Sequence, residues 1–328
     1  MSLTAAQLVK KLKRKSVLLL CHENADLDSF CSAAMMQRFL KKKMINAFIG
    51  IPSHINEHAQ SLALREKISF YINPNLPVFN VVILFDFNHL EQMGRLGKSF
   101  EALMKCNCFE VMAFDHHVPE KGSIVHEKNA IISDKCVSTT QLVRNFLDIF
   151  EDSEIDFLNC LGIMEDTGHF LVGNSESFES FSSSLKNSGR SFAEVLAFTK
   201  HNLKEDERIA FLKAAQRAQI LKLGSAIVAV SELSFYQGPA ASKLLDFGAH
   251  IAVVAGQEKN ELTILSARAD SEFKENNKFN LMKHLFVPLQ EKLGGAVGGH
   301  SGAAQWKGKA GVGEVKRVAI EILKRRFN

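Results

Sequence analysis

The sequence lacks the features of membrane and disulfide-rich proteins. No apolar run approaches the roughly 18 residues of a membrane span, and the N-terminus is a basic amphipathic helix without a long apolar core behind it. The six cysteines include no CxxC pair and no zinc-finger spacing. Several of them lie inside apolar patterns, which is typical of small buried residues in a reducing compartment. We expect a soluble, cytoplasmic protein without membrane contact.

The chain also has little net charge and no flexible linker. Its formal net charge of +4 permits an anionic ligand but does not indicate a polybasic nucleic-acid coat. The basic clusters at 10–15, 41–43 and 324–326 lie near the ends of predicted helices, where cations suit the helix dipole, and this reading is favoured over nucleic-acid contact. Pro/Gly-rich linkers, tandem repeats and low-complexity tracts are absent from the sequence.

What is present is the pattern of an α/β protein. Its 328 residues, 46% hydrophobic and 23% charged, suffice for two globular domains. We predict an N-terminal domain over 1–190, with a parallel sheet flanked by helices. A helical linker over 191–222 joins it to a smaller α/β domain over 223–328. Strands are predicted at 16–21, 45–50, 81–85, 109–114, 226–230, 250–255 and 261–267, with an apolar run at 130–132. Helices are predicted at 4–14, 28–41, 55–70, 98–105, 141–150, 155–165, within 176–220, and at 239–247, 279–293 and 312–326.

The segment Cys21–Ser29 organises the N-terminal half. It places His22, Asp26 and Asp28 on the turn between an apolar strand and a helix. In open α/β sheets, ligands bind at such turns, outside the carboxyl ends of the strands. Aspartate is also a common helix cap, and this segment alone does not separate the two readings.

Two later strands end in the same way. The apolar run 81–85 ends in Asp86, with His89 close behind, and the run 109–114 ends in Asp115, His116 and His117. Adjacent parallel strands bring their carboxyl ends to one edge of the sheet, so we expect these turns to converge on one crevice. A further acid, Asp166, follows the helix predicted at 155–165, and the Thr-Gly after it indicates a sharp helix end.

Carboxylates and imidazoles without a nearby thiolate pair suit Mn²⁺ or Mg²⁺, and also accommodate Co²⁺ or Zn²⁺. Four aspartates are too many for one zinc ion but fit two divalent metals that share a carboxylate. Two metals about 3.5–4 Å apart activate water and stabilise an in-line displacement at phosphorus. Without metals, the aspartates would repel one another, and some would have to stay protonated.

A glycine-rich segment, 294–304, supplies the second half of a phosphoester site. Its backbone amides can approach an anion closely, and Arg268 and His300 can add charge-assisted hydrogen bonds. Ser138-Thr139-Thr140 opens a predicted helix, which it either caps or uses to offer hydroxyls and amides to a phosphate. Capping alone is the simpler reading.

Taken in order along the chain, these motifs resemble those of a known protein family. His22-x-x-x-Asp26-x-Asp28-Ser29, Asp86 after a strand, Asp115-His116-His117 and Asp166-Thr167-Gly168 follow one another like the motifs of the DHH phosphoesterase family. The segment 298–304, Gly-Gly-His-Ser-Gly-Ala-Ala, resembles the glycine-histidine motif of the DHH-associated C-terminal domain. The resemblance covers nearly the whole chain.

The resemblance implies a role for each matching residue. One metal would be held by His22, Asp26 and Asp86. A second metal would share Asp86 and add Asp28, His116 and Asp166. His117 would face the scissile phosphate, and Asp115 would orient the neighbouring histidines. Substrate phosphate, in a cleft between the domains, would be bound by residues of the smaller domain, namely Arg268, His300 and the amides of Gly298 and Gly299.

The resemblance thus predicts a two-metal phosphoesterase, with Mn²⁺ as the preferred metal and Mg²⁺ or Co²⁺ as alternatives. Its substrates would be short oligonucleotides or small nucleotides such as adenosine 3′,5′-bisphosphate (pAp), as in the nanoRNase and pAp-phosphatase branch. The alternatives are a RecJ-like single-strand exonuclease, a cyclic-dinucleotide phosphodiesterase and, from a different class, an inactive nucleotide-binding regulator. A pyrophosphatase is less favoured. The sequence leaves open whether the protein is a monomer or a homodimer.

Overall fold

The computed structural model describes residues 3–118, 122–125, 129–147, 151–200, 203–257 and 262–327. The chain forms two compact units, residues 1–201 and residues 202–328. The boundaries predicted at residues 190 and 222 stay a prediction. The last three residues of the helix predicted at 141–150, and residue 261 of the strand predicted at 261–267, lie outside the described residues.

The first unit contains an entirely parallel six-stranded sheet, in the order β5-β3-β1-β6-β7-β8. A separate parallel pair is formed by β2 and β4. The strands are β1 (Val17–Cys21), β2 (Asn24–Ala25), β3 (Ala47–Ile51), β4 (His54–Ile55), β5 (Phe70–Ile72), β6 (Val81–Phe85), β7 (Glu110–Asp115) and β8 (Ala130–Ile132).

The continuous apolar runs of β1 and β6 arise because both faces of the sheet are covered. Every residue of these two strands is buried. Alternate side chains enter different hydrophobic clusters, so that Leu19 and Ile83 pack on one face and Leu18 and Val82 on the other. This two-sided burial is the usual state of a parallel sheet, and it explains why the strands show no polar alternation.

Helices of the first unit cover the sheet and carry part of the site. Helices α2 and α6 pack against each other, and their ends supply the acidic residues considered below. The helices are α1 (Ala5–Leu12), α2 (Leu27–Lys42), α3 (Glu57–Arg65), α4 (Leu96–Lys105), α5 (Thr139–Phe146), α6 (Ser153–Asp166), α7 (Ser175–Ser188) and α8 (Phe192–Thr199). None of the helices in the described parts of the chain is long and apolar enough to cross a membrane.

The second unit has a mixed six-stranded sheet, in the order β13-β14-β12-β11-β10-β9. Only β10 and β11 pair in parallel, and the other neighbours are antiparallel. Its strands are β9 (Gln219–Leu223), β10 (Ala226–Glu232), β11 (Ile251–Gln257), β12 (Thr263–Ala269), β13 (Ala296–Gly299) and β14 (Ala303–Gly308). Its helices are α9 (Glu205–Gln216), α10 (Gln237–Asp246), α11 (Ser271–Asn276), α12 (Val287–Leu293) and α13 (Val312–Phe327). A π-helical segment, Met282–Phe286, precedes α12.

The predicted fold class is confirmed, and several segments form strands where the sequence predicted none. The helix predicted over 55–70 ends at Arg65, and Phe70 begins the edge strand β5. At the end of the helical linker predicted over 191–222, residues 219–223 form the edge strand β9. Much of the glycine-rich segment forms the hairpin of the edge strand β13 and the interior strand β14. None of these segments contains four consecutive apolar residues, which is why the sequence did not mark them as strands.

Candidate metal centre

Three parallel strands deliver polar side chains to one edge of the first sheet. Cys21 of β1 lies beside Phe85 of β6, and Phe85 lies beside Phe114 of β7. The residue that follows each of them therefore emerges at the same level. Those residues are His22, Asp86 and Asp115.

Two helix ends complete the cluster. Asp26 is the N-cap of α2, where its Oδ1 accepts the Ser29 N–H at 3.0 Å, and Asp28 lies buried in the first turn. Asp166 is the last residue of α6, after which the chain turns through Gly168 at a φ of +56°. Asp26 therefore caps a helix and also faces the crevice, so the two readings of this motif are compatible.

Two groups of side chains share Asp86. His22 Nε2 lies 3.4 Å from Asp26 Oδ1 and 3.8 Å from Asp86 Oδ2. His116 Nε2 lies 3.4 Å from Asp86 Oδ1 and 3.3 Å from Asp166 Oδ2, and Asp28 belongs to this second group. Within each group, one ligand atom per residue lies within 4.8 Å of all the others. The structure thus brings together all six residues named as metal ligands from the sequence, in the same two sets.

His117 is held beside the second group. Its Nδ1 lies 2.8 Å from Asp115 Oδ1, which also accepts the His117 N–H at 3.1 Å, and its side chain is 59% exposed. The hydrogen bond to Asp115 raises the pKa of His117. Asp115 thus holds this histidine through Nδ1, and the orienting role that the resemblance gives Asp115 stays a prediction.

A bound cation would stabilise the buried carboxylates of this cluster. Burial raises the pKa of Asp28, Asp86 and Asp166, and negative neighbours raise the last two further. Although burial opposes it, the hydrogen bond with His22 lowers the pKa of Asp26. Asp166 Oδ2 is buried and makes no hydrogen bond with described residues. Crowded carboxylates and imidazoles with an unsatisfied buried oxygen form a donor set that fits divalent metals.

The start of α5 supports two of these carboxylates. The N–H groups of Thr139 and Thr140 donate to Asp28 Oδ2 and Oδ1 at 2.6 and 2.8 Å. Ser138 Oγ accepts the Gln141 N–H at 3.1 Å, so the predicted cap is present. The amides, however, bind a carboxylate of the protein instead of a substrate phosphate. The sequence shows the Ser-Thr-Thr run but does not show that Asp28 is the partner of its amides.

A glycine on α6 makes room for this contact. A Cβ atom at Gly162 would overlap the side chain of Thr140 and lie 2.6 Å from Asp28 Oδ1. Helix α6 can therefore approach α5 and Asp28 only with glycine here.

The sequence analysis did not identify two further residues near the site, Glu165 and Gln92. Glu165 Oε2 accepts the Leu27 N–H at 2.5 Å, which ties the end of α6 to the start of α2. Burial, with a contribution from Asp26, raises the pKa of Glu165 to about 7. Gln92 lines the cavity of about 400 Å³ at the cluster, together with His22, Asp26, Asp86, His116, His117 and Asp166. His89, noted from the sequence, lines the neighbouring cavity.

Asp86 has an unusual backbone. Its φ is +67°, in the left-handed region, and its N–H donates to the Phe114 carbonyl at 2.9 Å. Aspartate and asparagine enter this region more readily than other non-glycine residues, but at a cost of about 1 kcal/mol or more. Strain of this kind concentrates at functional sites.

The candidate phosphate-binding residues lie in the second unit. Arg268 on β12 pairs with Ala303 on β14, and Gly299 on β13 pairs with Ala304. Arg268, Gly298, Gly299 and His300 therefore lie toward the same end of this sheet. His300 stands at the tip of the β13–β14 hairpin, where its N–H donates to the Ala303 carbonyl at 2.8 Å. The two glycines are strand residues of β13, a segment to which the sequence analysis assigned no secondary structure.

The comparisons with known proteins agree with this arrangement. The chain is 28% identical over 304 residues to the uncharacterized protein MJ0988 of Methanocaldococcus jannaschii, covering 90% of this chain and 88% of the relative. An exopolyphosphatase-related protein from Bacteroides fragilis has the same fold, with a TM-score of 0.62, 15% identity and coverage of 98% of this chain and 95% of that one. Residues 16–164 match the model described as the DHH family, N-terminal domain. The matched range includes five of the six clustered ligand candidates and ends just before Asp166. The N-terminal part of the chain therefore matches the DHH family over residues 16–164, the range that carries most of the motifs on which the resemblance rests.

Proposed function

We propose that the protein is a phosphoesterase that uses two divalent metal ions, with Mn²⁺ preferred. The observation that carries the proposal is the position of Asp86 between two ligand groups, with one carboxylate oxygen toward His22 and the other toward His116. His22, Asp26 and Asp86 would hold one ion, and Asp28, Asp86, His116 and Asp166 the other. Bound there, the ions supply Lewis acidity toward phosphoryl oxygens and lower the pKa of water.

The chain's own residues then position and protonate the substrate. Asp115 keeps His117 in one orientation through Nδ1, and this hydrogen bond raises the pKa of His117. In its protonated form, His117 can donate the proton on Nε2 to the leaving oxygen as that oxygen's bond to phosphorus breaks, while an attacking water forms the new phosphorus–oxygen bond and gives up a proton to solvent. Arg268 and His300, with the amides of Gly298 and Gly299, are the groups that would bind substrate phosphate.

The substrates proposed are short oligonucleotides or small nucleotides such as pAp, acted on in the cytoplasm. The net charge of +4 is low for a protein that tracks a long single strand. A RecJ-like exonuclease would favour a stronger basic groove, and it remains the rival within the same chemistry.

A substrate panel tests the proposal. A dinucleotide, pAp, a cyclic dinucleotide and a long single-stranded DNA are incubated with the protein and Mn²⁺, and release of mononucleotide or phosphate is measured. We expect the dinucleotide or pAp to be turned over fastest. Preference for the long strand would favour the exonuclease. Tight nucleotide binding without turnover of any substrate would favour the inactive regulator and refute the proposed activity.

A further inference from the structure

Thr139 contacts both central carboxylates at once. Its backbone N–H donates to Asp28 Oδ2 at 2.6 Å, and its hydroxyl donates to Asp86 Oδ1 at 2.9 Å. Thr139, Asp28 and Asp86 are all buried. From the described contacts we infer that Thr139 is a positioning residue, which fixes the rotation of the Asp86 carboxylate so that each oxygen serves a different metal ion. The inference rests on the proposed two-metal site.

The geometry of Asp86 shows why its rotation matters. Asp86 Oδ2 faces His22 at 3.8 Å, and Oδ1 faces His116 at 3.4 Å and His117 Nδ1 at 3.6 Å. For each oxygen of Asp86 to serve a different ion, the plane of the carboxylate must be held in one orientation. The Thr139 hydroxyl approaches Oδ1, so it selects the orientation in which Oδ2 is left for the His22 group.

The location of Thr139 makes this hydrogen bond well defined. Thr139 is the first residue of α5, behind the cap residue Ser138, and its N–H has no partner within the helix. Asp28 takes that N–H, which fixes the backbone. Threonine is branched at Cβ, and its hydroxyl therefore has few accessible orientations. Of the two donors, only the hydroxyl can be removed by substitution, so its contribution can be measured alone.

The test is a metal titration of three variants. Thr139→Val keeps the shape and removes the hydroxyl, Thr139→Ser keeps the hydroxyl, and Thr139→Ala is a smaller second deletion in case the valine variant does not fold. Each metal-depleted full-length protein is titrated with Mn²⁺ by calorimetry, and its unfolding in urea is followed with and without metal.

We expect Thr139→Val to bind Mn²⁺ roughly 10- to 100-fold more weakly, as is typical when a residue that orients a metal ligand is lost. Thr139→Ser should recover most of the affinity. A matched control is Thr199→Val, which deletes another buried hydroxyl of the same unit, one that donates to the Val195 carbonyl. The control should bind Mn²⁺ within about twofold of the wild type, since the contacts of its hydroxyl in the described part of the chain are with His169 and the Val195 carbonyl and not with a carboxylate.

The outcomes separate this inference from the proposed function. Failure of the wild-type protein to bind Mn²⁺ would refute both. If the wild type binds Mn²⁺ and the folded Thr139→Val or Thr139→Ala protein binds it equally well, the two-metal site stands and the role of Thr139 is refuted. A variant that is less stable without metal but has unchanged affinity counts against the role as well, because a merely structural hydroxyl would give that result.

Discussion

The two sheets of this protein gather polar residues by different means. In the first, five neighbour pairs of strands are all parallel, so β1, β6 and β7 end at one edge, where His22, Asp86 and Asp115 emerge together. In the second, antiparallel pairing sends neighbouring strands in opposite directions, and a hairpin is needed to bring His300 toward the end of β12 that carries Arg268. In this protein, the parallel sheet brings several titratable side chains to one edge by strand order alone, whereas the mixed sheet needs a hairpin to do so.

This contrast predicts that the first unit carries the chemistry and the second only binding. Substitutions at the parallel edge should therefore change metal affinity and turnover, and those in the second unit should change substrate affinity alone. Each experiment below tests one side of this division.

The largest effect is expected from Asp28→Asn. An amide nitrogen of the new side chain would face the N–H of Thr139 or Thr140, so two donors would meet, and the charge for the metal would be lost. Loss of several kcal/mol of transition-state stabilisation corresponds to a fall in turnover of about 10³-fold. Steady-state kinetics with Mn²⁺ measure it, and Asp246→Asn, on the surface of the second unit, is the matched control. Undiminished activity would refute the metal assignment.

Arg268→Ala probes the other unit. Removal of one charge-assisted hydrogen bond to phosphate costs about 1.5–3 kcal/mol, so we expect KM to rise roughly 10- to 100-fold. The affinity for Mn²⁺ should not change, as measured by titration. Arg317→Ala, an exposed arginine on α13 paired with Glu321, serves as control. A loss of metal affinity in the Arg268 variant would break the division between the two units.

Gly162→Ala tests the close packing behind the parallel edge. The added methyl group would overlap Thr140 and crowd Asp28, and overpacking of this kind costs about 1–3 kcal/mol of the free energy of unfolding. Gly313→Ala on α13 has open space around its Cβ, and we expect it to stabilise the protein by at most about 1 kcal/mol. Urea denaturation compares the two. If the Gly162→Ala and Gly313→Ala proteins had equal free energies of unfolding, α6 could shift to accommodate the methyl group without loss of stability.

The smallest effect is expected from pH. In the metal-free protein, the free energy of unfolding should change with pH. Because burial raises the pKa of Asp28, Asp86 and Asp166 above the unfolded value of about 3.9, the folded state holds more protons than the unfolded state above that pH. Stability should therefore fall as pH rises, by about 1.4 kcal/mol per pH unit for each excess proton. Urea denaturation between pH 5 and 8, after chelation, measures this slope.

Metal and substitution provide the controls for that slope. Saturating Mn²⁺ should remove most of the decline, because the ions compensate the buried charge. Asp166→Asn should flatten the curve of the metal-free protein. A metal-free stability that increases over this pH range would show that the carboxylates are ionised and stabilised by other means.

The sequence predicted the parallel edge well because the relevant signals are local. The apolar run 81–85 coincides with β6, and the residues that follow strands must emerge at the sheet edge whatever the rest of the chain does. The Thr-Gly after Asp166 predicts the sharp helix end that the structure shows, whereas the role of Asp166 as a metal ligand rests on the family resemblance. These features depend on a few consecutive residues, and the sequence contains them directly.

The supporting contacts could not be predicted, because they join distant parts of the chain. Thr139 lies 111 positions from Asp28, and Glu165 lies 138 positions from Leu27. Nothing local to Gly162 shows that its missing side chain accommodates Thr140. The sequence predicts the cap at Ser138 but not the partner of the α5 amides, because Asp28 reaches them only through the packing of α2, α5 and α6.

The left-handed backbone of Asp86 has a consequence for the divergence of such proteins. A single base change converts an aspartate codon into one for asparagine or glycine, and these are the two residues that best tolerate a positive φ. Loss of the shared carboxylate would then relieve charge repulsion and, with glycine, backbone strain, without disturbing the sheet. A duplicated gene can therefore lose catalysis in one mutational step and still encode a stable fold, which is free to acquire another role.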